Sequence, residues 1–341
     1  MKIDKEQIRR RALELTAAGG TGIGAQLAKE VGVSRQVANG YLQALESDGL
    51  LQADGSTRAK VYRLVPLVSL SESFPTAGLD EDRVWREMLM PHLRDLPDNV
   101  QDIWHFGATE MINNAIDHSG AQTVQVGLVR NALFSEVTVA DNGVGIFLKI
   151  QRALGLDEPR EAILELVKGK LTTDPDNHTG EGIFFTSRAM DEFHIRSDRL
   201  HFQHQAGEPD ILDELAEPVA GTELRLRLDN AAERDLTALF DAYTDPEEFS
   251  FDRTVIPMRL AQFEGQKLIS RSQAKRIAHR FERFKRVELD FAGVESIGQA
   301  FADELFRVFA RNHPTLTLVP VNTAPAVDQM IRRAVSRRRE D

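Results

Sequence analysis

Apolar positions recur with two different spacings along the chain. Trp104, Ala108, Met111 and Ala115 form one stripe at i, i+4, i+7 and i+11, which predicts a helix over about residues 99–118. Residues 137–140 and 221–228 instead alternate with a period of two, as a strand with one buried face does. The C-terminal third alternates strand and helix patterns. These patterns together predict an α/β (α+β) multidomain fold.

Changes in composition mark the expected joints. A Pro- and Ser-rich stretch follows Leu64 and is typical of a linker or an extended connector. A second joint is expected at residues 241–248. The predicted division is residues 1–65, a linker at 66–79, residues 80–240 and residues 250–341.

Composition narrows the class of protein. The 341 residues suffice for two or three domains, and the absence of cysteine excludes disulfides and thiolate metal sites. No apolar run approaches the ~20 residues that span a bilayer, and the N-terminal residues form no hydrophobic signal segment. We therefore expect a soluble cytoplasmic protein without a membrane partner.

The net charge of -11 is unevenly distributed. Residues 1–65 carry 10 basic and 7 acidic side chains, net +3, and residues 250–341 carry net +6, so the centre is strongly acidic. The mildly basic N-terminal unit is the part whose charge suits DNA.

The N-terminal unit has the spacing of two helices joined by a tight turn. Leu27 and Ala28 face inward on the first helix, Gly32 supplies a turn with positive φ, and Ser34 is a good N-cap. A second helix, Ser34–Glu46, is predicted from four apolar positions: Val37, Tyr41, Leu42 and Leu45. A hairpin turning at Asp54-Gly55 is expected to follow.

This segment resembles the winged helix-turn-helix family over about 60 residues. The resemblance places four polar residues on the base-facing side, Ser34, Arg35, Gln36 and Asn39, and puts Arg58 and Lys60 on a wing that meets phosphates. DNA is therefore the expected partner, and paired half-sites make a homodimer compatible with it. A protein–protein module is the alternative.

Residues 80–240 contain three polar or glycine-rich motifs. Asp141-Asn-Gly143-Val-Gly145 follows a buried strand, so a carboxylate and bare backbone lie at its end. Glu110, Asn114 and Asp117 share one helix stripe, which predicts a cleft wall, the alternative being a half-solvated helix. Asn114 offers a neutral oxygen to Mg²⁺, and Glu110 could polarise a water molecule.

The third motif is Gly180-Glu181-Gly182. It opens an apolar helix, so backbone N–H groups are available for phosphate oxygens. The polar residues before it, within 171–182, predict a mobile lid.

These motifs resemble, in order, the N box and two glycine boxes of the GHKL ATPase family, which includes gyrase and the histidine kinases. The resemblance implies a two-layer α/β sandwich that binds ATP with Mg²⁺ on Asn114, while Asp141 accepts from the adenine amino group beside Thr222. It implies further nucleotide contacts from Asp117, Gly143, Gly145, Ile146, Thr179, Gly180, Gly182 and Ile183.

The motifs of this chain resemble two different branches of the GHKL family. Glu110 matches the hydrolytic base of the gyrase branch, whereas residues 180–191 are closer to anti-sigma serine kinases and histidine kinases. Hydrolysis and phosphoryl transfer to a Ser or Thr both remain open. Too few residues precede the N-box helix for the helical hairpin of a histidine kinase.

The C-terminal segment resembles the STAS family around Leu289-Asp-Phe-Ala-Gly293-Val294, and members of that family are partners of anti-sigma kinases. Gln299 falls where the family carries its phosphorylated serine, and Ser296 lies three residues earlier. A role in binding a protein partner is therefore expected.

Three functions follow. The first is an ATP-driven switch that couples Mg²⁺·ATP binding and slow hydrolysis to DNA binding. The second is a protein kinase acting on a partner or on its own C-terminal domain, and the third is a non-catalytic transcription factor that senses nucleotide.

Overall fold

The computed structural model describes residues 4–55, 60–171, 180–245, 250–262 and 267–338. Within these ranges the buried apolar side chains form three clusters, and one of them joins Leu164, Phe184 and Phe185 to residues 251–334. The fold is mixed α and β with several sheets, as the sequence pattern predicts.

The N-terminal domain has three helices and a two-stranded antiparallel sheet. Its elements are α1 (Lys5–Ala18), α2 (Ile23–Val31), α3 (Arg35–Ser47), β1 (Leu51–Asp54) and β2 (Val61–Leu64). Ser34 caps α3, because its Oγ accepts a hydrogen bond from the Val37 N–H at 3.3 Å. Gly32 has φ +69°, which confirms the predicted turn.

The buried face of α3 differs from the predicted one. Val37 is 46% exposed, whereas Ala38, Leu42 and Leu45 are fully buried. These three residues are spaced i, i+4 and i+7, so they form a continuous stripe that excludes position 37. Val37, one of the four apolar positions from which the helix was predicted, therefore lies on the outer face with the polar residues.

The central domain is built on a five-stranded sheet of order β3-β4-β5-β7-β6 in which every pairing is antiparallel. The strands are β3 (Val68–Pro75), β4 (Thr123–Arg130), β5 (Phe134–Asp141), β6 (Glu192–Gln205) and β7 (Ile211–Asp229). Alternate residues of these strands, such as Val137, Val139 and Leu226, are buried against the helices. The domain therefore consists of two layers.

Residues 66–79, expected to be a linker, contribute strand β3 to this sheet. Val68 pairs with Arg130 and Pro75 with Thr123 along the whole length of β4. Val68, Leu70 and Phe74 alternate with serines and pack on the core, so the period of two was present but obscured by the flanking prolines. As an edge strand, β3 tolerates Pro75 at its end.

The helical layer includes α6 (Asp98–His118), the longest helix in the described residues. The stripe predicted for it is confirmed, because Trp104, Ala108, Met111 and Ala115 are all buried. The other helices of the domain are α4 (Glu81–Val84), which continues through a π-helical turn (Trp85–Leu89) into α5 (Met90–Leu93), and α7 (Ile146–Leu154), α8 (Glu161–Lys168), α9 (Gly182–Ala189) and α10 (Leu236–Tyr243).

The C-terminal domain has a three-stranded parallel sheet of order β10-β9-β8. Its strands are β8 (Arg253–Pro257), β9 (Arg286–Asp290) and β10 (Thr317–Val321). Helices α11 (Arg271–Ala278), α12 (Gln299–Asp303), α13 (Ala310–Asn312) and α14 (Pro325–Arg338) cover it, and a π-helical segment joins α12 to α13. The alternation of strands and helices predicted for the C-terminal third is therefore confirmed. The expected joint at 241–248 begins inside α10, and residues 246–249 lie outside the described ranges.

The N-terminal domain is attached to the central sheet. Arg10 on α1 donates two hydrogen bonds to the Asp229 carboxylate, at 3.1 and 2.6 Å. Leu133, from the turn between β4 and β5, is buried in the N-terminal hydrophobic cluster. Among the helices of the described ranges, none combines the length and the apolar character that crossing a membrane requires.

Candidate functional site

A cavity of about 400 Å³ opens between α6, the end of β5, the middle of β7, and the segments flanking residues 172–179. Its polar lining includes Glu110, Asn113, Asn114, His118, Asp141, Lys149 and Thr222. Its apolar lining includes Ala115, Val139, Ile146, Ile150, Leu166, Leu171, Ile183 and Leu224. Gly145, Gly180 and Gly182 also face it, so all three predicted motifs meet at one cavity.

Asp141 lies at the end of β5 because the register of the sheet pairs it with Thr222 on β7. Its Oδ1 accepts a hydrogen bond from the Gly143 N–H at 2.8 Å, and the Thr222 Oγ1 accepts one from the Ile146 N–H at 3.0 Å. Burial raises the pKa of Asp141, and hydrogen bonds from Gly143 and Thr222 oppose that rise. A half-buried carboxylate with a hydroxyl beside it is thereby fixed at the cavity.

The loop after Asp141 crosses the C-terminal end of α6 in direct contact. The Val144 N–H donates to the Ser119 carbonyl at 2.9 Å. A methyl group on Gly143 would overlap the Ser119 backbone, so only glycine allows this approach. Gly145 has φ +88° and precedes α7, which leaves its backbone facing the cavity.

Glu110 is brought to the N-terminus of α9, since a methyl group on Gly182 would overlap its Oε2, and Asn114 lines the same cavity. Gly182 is the first residue of α9, and the Glu181 side chain makes no cap hydrogen bond there. Burial raises the pKa of Glu181, Lys170 lowers it, and the nearby Glu110 carboxylate raises it further. The start of α9 therefore presents backbone N–H groups beside two carboxylates.

Two predicted site residues, Asp117 and Gly143, are not among the residues that line the cavity. Asp117 is exposed, and Asn113 and His118 line the cavity instead. Helical spacing fixes the angle of a residue around the axis but not which neighbouring loop covers each turn. Gly143 lies against Ser119. Thr179 and the other residues of the expected lid between 172 and 179 lie outside the described residues.

Sequence reasoning missed Lys149 and His118 as lining residues. The Lys149 Nζ donates to the His118 carbonyl at 2.5 Å, which joins α7 to the end of α6 beside the cavity. Lys149 lies one helical turn after Gly145, on the face of α7 that also carries Ile146 and Ile150. The spacing of Lys149 relative to Gly145 and Ile146 could therefore have predicted that Lys149 lines the cavity.

The predicted base-facing residues of α3 are exposed, and one of them has a packing role as well. Ser34, Arg35, Gln36 and Asn39 are all solvent-accessible. Asn39 also packs on α2, because a methyl group on Gly24 would overlap its Oδ1. Gly24 therefore allows α3 to approach α2 closely at Asn39.

Of the two residues predicted to contact DNA phosphates from the wing, Lys60 is described by the structure and Arg58 is not. Lys60 forms an ion pair with Glu46 of α3, with its Nζ 2.9 Å from Oε2. Arg58 lies outside the described residues. The ammonium of Lys60 is therefore committed to a carboxylate on the same domain.

The described residues contain no group of three or more His, Asp or Glu side chains arranged to hold a metal ion. Any divalent cation at the central cavity would need ligands from a bound phosphate or from water, together with few protein oxygens.

A protein-family model described as a STAS-like domain of unknown function (DUF4325) matches residues 273–328. This range runs from α11 through β9 and β10 to the start of α14. The STAS-like assignment is confirmed for these residues. A search of curated proteins found no match to the chain.

Proposed function

We propose that this chain is a regulator that binds Mg²⁺·ATP in its central domain and DNA through its N-terminal domain. The observation that carries the proposal is the convergence of residues far apart in sequence, Asn114, Asp141 and Gly182, on one cavity. The GHKL resemblance assigns each of these motifs to a part of the nucleotide, and the winged helix-turn-helix resemblance assigns α3 to DNA.

The cavity has suitable dimensions and chemistry for a nucleotide. Its volume of about 400 Å³ falls within the range of small-molecule sites, roughly 300–1,000 Å³. Val139, Ile150 and Leu224 provide apolar walls for a flat base. The Asp141 carboxylate can accept a hydrogen bond from an exocyclic amino group, which favours adenine at that end.

The other end suits phosphates. The N–H groups at the start of α9 can donate to phosphate oxygens. The Asn114 side-chain oxygen would hold Mg²⁺, which supplies charge neutralisation when it is bound. Glu110, which lines the same cavity, would accept the proton of a water molecule that attacks the terminal phosphate.

The attachment of the N-terminal domain supports coupling between the two sites. The Arg10–Asp229 hydrogen bonds and the insertion of Leu133 fix α1 to the sheet that carries the cavity. A nucleotide that prefers one arrangement of the domains would change the affinity for DNA by the same factor as DNA changes the affinity for nucleotide. Dimerisation would match paired half-sites in the DNA.

Incubation with γ-labelled ATP and Mg²⁺ tests the proposal. We expect slow release of free phosphate that falls about 100-fold or more in Glu110→Gln, the size of a general-base contribution, with nucleotide binding retained. DNA affinity should change with nucleotide. Titration calorimetry that finds no ATP binding by the parent chain would overturn the proposal, and binding without phosphate release would reduce it to a nucleotide sensor.

The second candidate is a protein kinase, favoured by the glycine segment at 180–182. Transfer of the radioactive label from ATP to protein would identify it.

Transfer to Ser296 of the same chain is disfavoured, since Ser296 follows the C-terminal end of β9. The cavity segment at Lys168 instead contacts Thr254 near the N-terminal end of β8. Strands of this length place the two edges about 13 Å apart. A separate protein partner therefore fits this candidate better; that partner and a cytoplasmic location remain predictions.

A further inference from the structure

Two segments of the central domain form one wall of the cavity and also contact the C-terminal domain. The first, residues 168–171, follows α8, and the second, residues 180–185, begins α9. They are joined by a hydrogen bond from the Leu171 N–H to the Gly180 carbonyl at 3.1 Å. Leu171, Gly180 and Gly182 line the cavity.

The backbone of the first segment is held by side chains of the C-terminal domain. The Thr254 Oγ1 donates to the Lys168 carbonyl at 2.7 Å. Arg280 donates to the Gly169 carbonyl at 3.2 Å and also to the Lys170 carbonyl. Arg283 donates to the same Lys170 carbonyl at 3.1 Å. Consecutive peptide groups leading to Leu171 are thus fixed from outside the central domain.

A buried ionic cluster sets the position of this contact. Lys168 and Glu165 of α8 form an ion pair at 2.5 Å, and Arg280 pairs with the other Glu165 oxygen at 3.0 Å. All three side chains are at least 95% buried. A buried charge is costly unless an opposite charge lies beside it. The C-terminal domain can therefore pack against α8 in few other positions without leaving one of these charges unpaired.

The second segment is held by aromatic packing. The rings of Phe184 and Phe185 lie 4.6 and 5.1 Å from the ring of Phe251, which is buried. The Phe251 ring also covers Gly169, where a methyl group would lie 2.7 Å from it. One aromatic residue of the C-terminal segment therefore contacts both segments of the cavity wall.

We propose that the C-terminal domain is a positioning part of the nucleotide site, in which Thr254, Arg280 and Arg283 hold residues 168–171 in the binding geometry. The inference rests on the proposed binding of ATP. Nucleotide affinity and docking of the C-terminal domain are then coupled, and each stabilises the other. A ligand that draws the C-terminal domain away weakens nucleotide binding.

The test uses the full-length chain and measures the Kd for ATP with Mg²⁺ by titration calorimetry. Arg283→Ala and Thr254→Val each remove one hydrogen bond to the backbone of residues 168–171. Because the Arg283 side chain is exposed, its replacement by alanine should leave the fold intact. We expect ATP binding to weaken about fivefold or more, the lower end of site-to-site coupling. Arg283→Lys keeps a donor and should restore most of the affinity.

Two control variants separate positioning from loss of stability. Phe301→Leu lowers the packing of the C-terminal core without touching residues 168–171, so it should lower Tm and leave the Kd unchanged. Arg332→Ala breaks the exposed Arg332–Asp328 pair and should change neither quantity.

The reciprocal effect is measured by hydrogen exchange. Saturating Mg²⁺·ATP should slow exchange of the amides at residues 280–286 in the parent chain. A parent chain that binds ATP while Arg283→Ala and Thr254→Val bind it equally well overturns the inference and leaves the proposed function intact. A parent chain that does not bind ATP overturns both.

Discussion

The backbone of Gly182 passes so close to the Glu110 carboxylate that no side chain fits between them. A methyl group on Gly182 would overlap Oε2 of Glu110 and lie 3.0 Å from its Cδ. Gly182 starts α9, and Glu110 lies in the middle of α6. Any larger residue at position 182 would therefore require the Glu110 carboxylate to move.

Gly182→Ala should impair nucleotide binding without unfolding the chain. Alanine is favoured over glycine in a helix, and the clash involves the end of a flexible side chain. We expect Glu110 to rotate into the cavity, where it competes with nucleotide and weakens ATP binding by about 1–3 kcal/mol, the usual cost of overpacking. Titration calorimetry and thermal unfolding of both proteins measure the two effects.

The double variant Gly182→Ala/Glu110→Ala is the control for that prediction. With the carboxylate removed, the added methyl group has room, and ATP affinity should return close to that of Glu110→Ala alone. Equal losses of affinity in the presence and absence of Glu110 would refute the steric explanation.

The Asp141→Asn substitution should raise the thermal stability of the protein while weakening its binding of ATP. Burial raises the pKa of Asp141, so the folded state binds the proton more tightly than the unfolded chain. The stabilising contribution of this group is present at low pH and is lost as the pH rises through its folded pKa. At neutral pH the ionised carboxylate is therefore a liability, and a neutral amide removes it.

We expect Asp141→Asn to unfold at a higher temperature than the parent at pH 7 and to lose ATP affinity about tenfold or more, since a charged acceptor is replaced by a neutral one. The gain in Tm should disappear at acidic pH. A variant that binds ATP as tightly as the parent would show that the Asp141 carboxylate does not contact the nucleotide.

The helix stripe of α6, the Ser34 cap, and strands β5 and β7 around residues 137–140 and 221–228 could be predicted because each depends on residues close in sequence. The contact between Gly182 and Glu110 could not, since 72 positions separate them and only the tertiary fold brings them together. Strand β3 was mistaken for a linker because serines on its exposed face resemble a connector. Asp117 shares the stripe of Glu110 and Asn114 but does not line the cavity, because periodicity gives an angle around the helix and no information on the loops that cover each turn.

DNA binding should become tighter when Glu46 is neutralised. Glu46 holds the Lys60 ammonium at 2.9 Å, and hydrogen bonding to Glu46 raises the pKa of Lys60, so the lysine stays charged but is engaged. In Glu46→Gln the ammonium becomes available to a phosphate. Measured by fluorescence anisotropy, the slope of log K against log salt concentration should steepen by about 0.9, which is one phosphate contact.

The matched variant is Glu46→Gln/Lys60→Gln, which should bring the salt slope back to that of the parent. Gln36→Ala, on the exposed face of α3, should reduce discrimination between sequences and leave the salt slope unchanged. If neutralising Glu46 left DNA affinity unaltered, Lys60 would not face the DNA backbone.

The buried Lys168 should give the unfolding free energy a distinct pH dependence. Burial lowers the pKa of Lys168 from 10.5 to about 8, although the Glu165 carboxylate opposes that effect. Between these two values the unfolded chain binds more protons than the folded one, so the free energy of unfolding rises with pH, by at most about 1.4 kcal/mol per pH unit from this group. Lys168→Met retains the Arg280–Glu165 pair and removes the titrating group. Urea unfolding of both proteins at pH 7.5 and pH 9.5 should show a smaller rise for the variant. Equal rises would mean that Lys168 titrates alike in the folded and unfolded states, and the cluster at Glu165 would then not be desolvated as its burial indicates.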